Sequence, residues 1–161
     1  MQLKIPKDEY PPILVIENFF DASTFEALNL TCRTLPMYVD ARNANRLTSK
    51  HVPKHVDRVL FAGIRTTRPP IIHTEYRRYF EGSDGFDWHR DTLLESSKYY
   101  ECVLTMDDTS DCRFEFVHRG KHMSIKPKPN TLVMVRPVVL PHRVTKLNYG
   151  SRTILKFVAC L

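Results

Sequence analysis

Phe86-Asp87-Trp88-His89-Arg90-Asp91 places a His and a carboxylate two positions apart. On an extended backbone, side-chain direction repeats every second residue, so His89 and Asp91 project from one face and can reach a single metal ion. A third ligand must come from elsewhere. The best candidate is His142 in Leu140-Pro141-His142-Arg143-Val144, and Arg152 follows it by ten positions in Gly150-Ser151-Arg152-Thr153-Ile154-Leu155. Two imidazoles and one carboxylate, with coordination positions left open, form the facial set that suits Fe(II) and oxygen chemistry.

The spacing alone is common. With seven His and ten Asp in 161 residues, a His-x-Asp arises by chance about 0.4 times. A second copy does exist, His55-Val56-Asp57, and it serves as a control. Val56, Val59, Leu60 and Ile64 recur there at helical spacing, and residues two apart on a helix point away from each other. The expectation is a surface helix with no shared ligand.

Context separates the two copies. In order along the chain stand Tyr76-Arg77-Arg78-Tyr79-Phe80-Glu81-Gly82, Phe86, His89-Arg90-Asp91, a strand-like run, Pro141-His142-Arg143-Val144 and Gly150-Ser151-Arg152. This ordered set resembles the prolyl-hydroxylase-like 2-oxoglutarate and Fe(II)-dependent dioxygenases, from about Ile13 to the C-terminus. The resemblance implies His89, Asp91 and His142 as metal ligands, with catalysis resting on these three and Arg152. It further implies Fe(II), 2-oxoglutarate as co-substrate and O2, with ascorbate as a further candidate. Arg152 stands where similar enzymes place an Arg or Lys for the distal carboxylate of 2-oxoglutarate, and a guanidinium fork suits that task. Tyr79, ten before His89, and Thr105, sixteen after it, match positions that hydrogen-bond the co-substrate. The chain departs from the pattern at Ser110-Asp111-Cys112-Arg113, where many relatives have paired glycines.

Composition sets bounds on the rest. A chain of 161 residues with 42% hydrophobic and 26% charged residues is read as one soluble domain, 1–161. No stretch approaches the roughly 20 apolar residues of a membrane span, and Met1 to Lys7 lacks the apolar run of a signal peptide, so a cytoplasmic protein is expected. Cys32, Cys102, Cys112 and Cys160 lack CxxC spacing and are expected as free thiols. The net charge of +6 is dispersed, which leaves nucleic acid a weaker candidate partner than a protein or peptide.

Along the chain, Ile13–Ile16 reads as a strand, and Asp21, or alternatively Ser23 with Glu26, caps a helix that ends by Pro36. Residues 38–50 read as a polar surface loop, and a second helix spans about Lys54 to Ile64. Strands are expected over 71–80, 99–106, 113–117, 123–125, 131–135, 143–146 and 153–159. Helices first and strands after make a mainly β (α+β) chain, and the order fits a double-stranded β-helix, or jelly roll, flanked by N-terminal helices.

The leading expectation is an Fe(II)- and 2-oxoglutarate-dependent hydroxylase of a protein side chain, with proline the first candidate. Its rivals are a nucleic-acid-modifying dioxygenase of the same superfamily and a non-catalytic jelly-roll binding module. Nucleic-acid demethylases typically carry a second Arg six positions past the first, where this chain has Val158. Substrate contacts are expected from Arg42 to Arg46, from Thr92 to Lys98 and from Trp88.

Overall fold

Pro11-Pro12 feeds the chain into β1 (Ile13–Ile16), and Asp21 then starts α1 (Ala22–Arg33). The computed structural model describes residues 10–41, 43–64, 71–93 and 99–160. Asp21 Oδ1 accepts from Thr24 N at 2.9 Å and from Ser23 Oγ at 2.6 Å, so Asp21 is the cap and Ser23 supports it. The control copy lies, as expected, on α2 (Lys54–Ile64), where Val56, Leu60 and Ile64 are buried.

The remaining elements are β2 (Tyr38–Asp40), β3 (Asn43–Ser49), β4 (Ile71–Phe80), β5 (Phe86–His89), β6 (Tyr99–Asp108), β7 (Phe114–His118), β8 (Lys121–Ile125), β9 (Leu132–Val135), β10 (His142–Val144) and β11 (Ser151–Cys160). They form a seven-stranded sheet, β1-β9-β6-β11-β4-β3-β2, and a four-stranded sheet, β5-β10-β7-β8, with antiparallel pairing throughout. The fold is a jelly roll with two helices against the larger sheet.

Each central strand divides its side chains by parity. On β6, Tyr100, Cys102, Leu104 and Met106 join Leu155 and Phe157 of β11 in a core completed by Leu28, Cys32, Val56 and Leu60 of the helices. A smaller core, Phe114, Phe116, Val133, Val135 and Leu140, lies between the two sheets. Between Thr105 and Asp107 the β6–β11 ladder takes an extra residue, Met106, and the register then resumes with Thr153 opposite Asp107 and Arg152 opposite Asp108.

The described residues between Tyr38 and Ser49 are not a loop. They form the β2–β3 hairpin, whose second strand pairs with β4 through Arg46–Tyr79 and Ser49–Tyr76. The apolar alternation that marks a strand is missing because the buried positions on β3 carry Thr48 and Ser49. Smaller corrections concern strand ends: β6 runs two residues beyond Met106, and β10 starts at His142, inside the expected gap. All four cysteines are free thiols, and no described helix is long and apolar enough to cross a membrane.

Candidate active site

Cross-strand pairing of β5 with β10 sets His89 directly opposite His142, with ring centroids 4.3 Å apart. Gly85 makes the approach possible: with φ of 75° it passes so close to β10 that a Cβ there would stand 2.4 Å from Val144 O. Asp91 completes the group by a route other than strand alternation. β5 ends at His89, and the backbone carbonyl of Asp91 instead accepts from Val138 N at 2.9 Å. Val138 is β-branched yet adopts φ of 66°, a conformation that stores about 1–3 kcal/mol. One ligand atom from each of His89, Asp91 and His142 lies within 4.8 Å of the others.

The chemistry of these donors fits a divalent cation. His89 Nδ1 lies 2.7 Å from Asp87 O and His142 Nδ1 lies 3.0 Å from Leu140 O. A carbonyl only accepts, so each Nδ1 carries the proton and each Nε2 presents a lone pair. Both Nε2 atoms face Asp91, at 3.5 Å from Oδ1 and Oδ2 respectively. Donors about 2.1 Å from one ion sit about 3–4 Å from each other. Burial pulls the His142 pKa down, against the opposing pull of its carbonyl contact and Asp91, which keeps the ring neutral and ready to ligate.

Arg152 rises from β11, 6% exposed. Among the described residues its guanidinium has no carboxylate partner: Nη1 reaches Cys112 Sγ at 3.8 Å, and Nε is buried without a hydrogen-bond partner. Tyr79 of β4 lies opposite it. Burial alone would push the Tyr79 phenol up, but Arg77, which also hydrogen-bonds it, Arg46 and Arg152 together draw it below its ordinary value. Thr105 is fully buried on β6, opposite Ile154, with its hydroxyl unpaired.

Besides Arg46, already expected as a substrate contact, the inner face carries charges that the sequence reading did not single out: Glu75, Arg77, Glu101 and Lys156. Arg46 pairs with Asp40 at 2.6 Å and lies over the Tyr79 ring at 5.8 Å. Arg77 binds Glu75, with Nε 2.7 Å from Oε2. Lys156 Nζ stands 3.5 Å from Glu101 Oε2. Burial raises the Glu101 pKa, opposed by Lys156 and assisted by the nearby charge of Asp91. Part of their signal was available as a period of two on β4, where Glu75, Arg77 and Tyr79 share a face; on β11 Arg152 and Lys156 share that face with apolar Ile154 between them.

The expected substrate contacts divide. Arg46 faces the interior, whereas Arg42 and residues 94–98 lie outside the described residues. Trp88 points away from the interior, under Arg143 at 5.1 Å and beside His122 at 5.5 Å, because it alternates with His89 along β5.

No protein-family model matches the sequence, and no curated protein sequence matches it significantly. Solved structures do match in fold. An oxidoreductase of the 2OG-Fe(II) oxygenase family from Burkholderia pseudomallei aligns with a TM-score of 0.71 at 13% identity, over 92% of this chain and 84% of that one. HygX from Streptomyces hygroscopicus, with nickel and 2-oxoglutarate bound, aligns with a TM-score of 0.69 at 14% identity, over 91% and 82%. A prolyl hydroxylase from Trichoplax adhaerens, in complex with a hypoxia inducible factor peptide fragment, aligns with a TM-score of 0.68 at 13% identity, over 91% and 83%.

Proposed function

We propose that the chain is an Fe(II)- and 2-oxoglutarate-dependent dioxygenase, a single catalytic domain over residues 1–161, that hydroxylates a protein side chain, with proline the first candidate. One observation carries the reading: a jelly roll whose interior holds a His, Asp, His donor set and also a nearly buried Arg152 with no carboxylate partner among the described residues. A guanidinium kept from water without an anion costs several kcal/mol, which a bound dicarboxylate would offset.

In this reading His89, Asp91 and His142 hold Fe(II), and Arg152 takes the distal carboxylate of 2-oxoglutarate through its planar fork. Tyr79 hydrogen-bonds the same carboxylate, and the unpaired Thr105 hydroxyl offers a further contact. Bound iron supplies O2 activation coupled to oxidative decarboxylation of the co-substrate. The protein binds and orients: the Asp87 and Leu140 carbonyls fix both imidazole tautomers, and Phe114, 5.4 Å from His142, helps keep water from that side. A peptide substrate is supported by the Trichoplax complex. HygX has also been seen with hygromycin B, so small polar molecules belong in the screen.

Anaerobic addition of Fe(II) and 2-oxoglutarate should produce a weak visible charge-transfer band. With O2, succinate release should accompany a product heavier by about 16 Da, one oxygen atom, on a Pro-containing peptide. Folded protein with no band would support the binding-module reading instead. Oxygen found only on an oligonucleotide or on a small molecule would overturn the protein substrate and leave the dioxygenase standing.

A further inference from the structure

Arg152 and Asp108 are directly opposite one another on β11 and β6, so their side chains share a face with Cβ atoms about 5 Å apart. An Arg and an Asp so placed ordinarily pair. Here they do not: Arg152 Nε and Asp108 Oδ2 are both buried and, among the described residues, both lack a hydrogen-bond partner. The carboxylate, 1% exposed, is held by another cation, with Lys126 Nζ 2.9 Å from Oδ1. Ser110 adds its backbone N–H at 2.9 Å and its hydroxyl at 2.6 Å to the same oxygen.

Lys126 comes from the segment after β8, and it is fixed as well as charged. Its ammonium also donates to the carbonyl of Ser110 and to that of Cys112, the latter at 3.3 Å. These bonds hold the 108–112 turn closed around Asp108 and set Cys112 against Arg152. Among the described residues, the hydrogen bond that Arg152 makes there goes to a thiol, a weak acceptor.

We propose that Lys126 is a positioning residue that occupies Asp108 and so keeps Arg152 available for the carboxylate of 2-oxoglutarate. This rests on the function proposed above. Without Lys126, a buried carboxylate remains uncompensated beside a buried guanidinium that lacks an anion, and low local polarity strengthens their attraction. Arg152 then turns to Asp108, and the co-substrate must compete with an internal anion for its site.

The test is calorimetric binding of 2-oxoglutarate to protein loaded with Mn(II) in place of Fe(II), with Mn(II) affinity measured separately. Lys126→Met should weaken 2-oxoglutarate binding about tenfold or more and leave Mn(II) binding unchanged. Lys126→Met/Asp108→Asn, which removes the competing charge, should recover affinity to within about threefold of the wild type, although it still lacks the Lys126 bonds to the turn. If Lys126→Met does not fold, Lys126→Gln, which retains a donor but no charge, carries the same comparison. Wild-type-like binding by the single variant would overturn the proposal. So would a double variant as weak as the single one, since Lys126 would then act only through the turn. A wild-type protein that binds Mn(II) but no 2-oxoglutarate would overturn the proposed function itself.

Discussion

The two faces of strands β6 and β11 obey opposite rules. Toward the helices stand Tyr100, Cys102, Leu104, Met106, Leu155 and Phe157, sealed and apolar. Toward the smaller sheet, one residue over, stand Glu101, Thr105, Arg152 and Lys156, among which several buried polar atoms have no hydrogen-bond partner. Burying unsatisfied polar groups costs about 1–3 kcal/mol each. The helix-covered face must therefore supply stability that the inner face consumes, and the difference separates the part of the molecule that holds it together from the part arranged for a ligand.

The sharpest break in this contrast should come from the proposed metal donors. His89→Ala, Asp91→Ala or His142→Ala should each reduce succinate release to background, while the thermal midpoint stays near wild type. The helical copy of the motif gives the control. His55→Ala should be silent, and Asp57→Ala should cost stability of about 1 kcal/mol without loss of activity, because Asp57 accepts from Thr74 Oγ1 at 2.7 Å. An essential 55/57 pair beside dispensable 89/91 variants would invert the assignment.

Next in size is Arg152→Ala, which should raise the 2-oxoglutarate requirement by the equivalent of about 2–5 kcal/mol and the iron requirement far less. Arg152→Lys should be milder. Equal losses of both affinities would make Arg152 a structural residue. Leu104→Ala tests the other face of the same sheet: it should lower unfolding free energy by about 2–5 kcal/mol, seen in denaturant melts, with turnover per folded molecule retained.

The smallest effect belongs to the cap of the helix that covers the apolar face. Hydrogen bonds from Ser23 and Thr24 hold the Asp21 carboxyl well below its ordinary 3.8. The folded state thus favours the ionised form, so this contribution is complete above about pH 4 and is lost as pH falls. Wild type and Asp21→Ala should differ slightly in thermal midpoint at pH 7, and the gap should shrink as the solution is acidified.

Much of this was legible in the residues because the responsible signals are local. Asp21, the 3.6-residue apolar spacing of α2 and the β-branched and aromatic content of β4 each act within one turn or one strand. What escaped was set by partners distant in sequence. The β2–β3 hairpin looked like a loop because Arg46 and Thr48 face an interior whose polarity comes from β4 and β11, and Ser49, opposite Tyr76, puts a polar residue on the other side as well. His89 and Asp91 were expected together from strand geometry alone, and they do come together, but Asp91 lies past the strand and its carbonyl is held by Val138. Trp88 looked like a substrate contact until the pairing of β5 with β10 put it on the outer surface. The tie between Lys126 and Asp108 spans 18 positions, and neither residue carries a motif of its own.

The extra residue at Met106 makes β6 behave like a reading frame that has slipped by one. Upstream of it, odd-numbered residues face the interior; downstream, Asp108 takes that place opposite Arg152. Deleting Met106 should restore a uniform frame and keep the present partners, with Asp107 opposite Thr153 and Asp108 opposite Arg152. That deletion should therefore act on folding, through the Met106 packing lost from the helix-facing core, before it acts on the proposed co-substrate site.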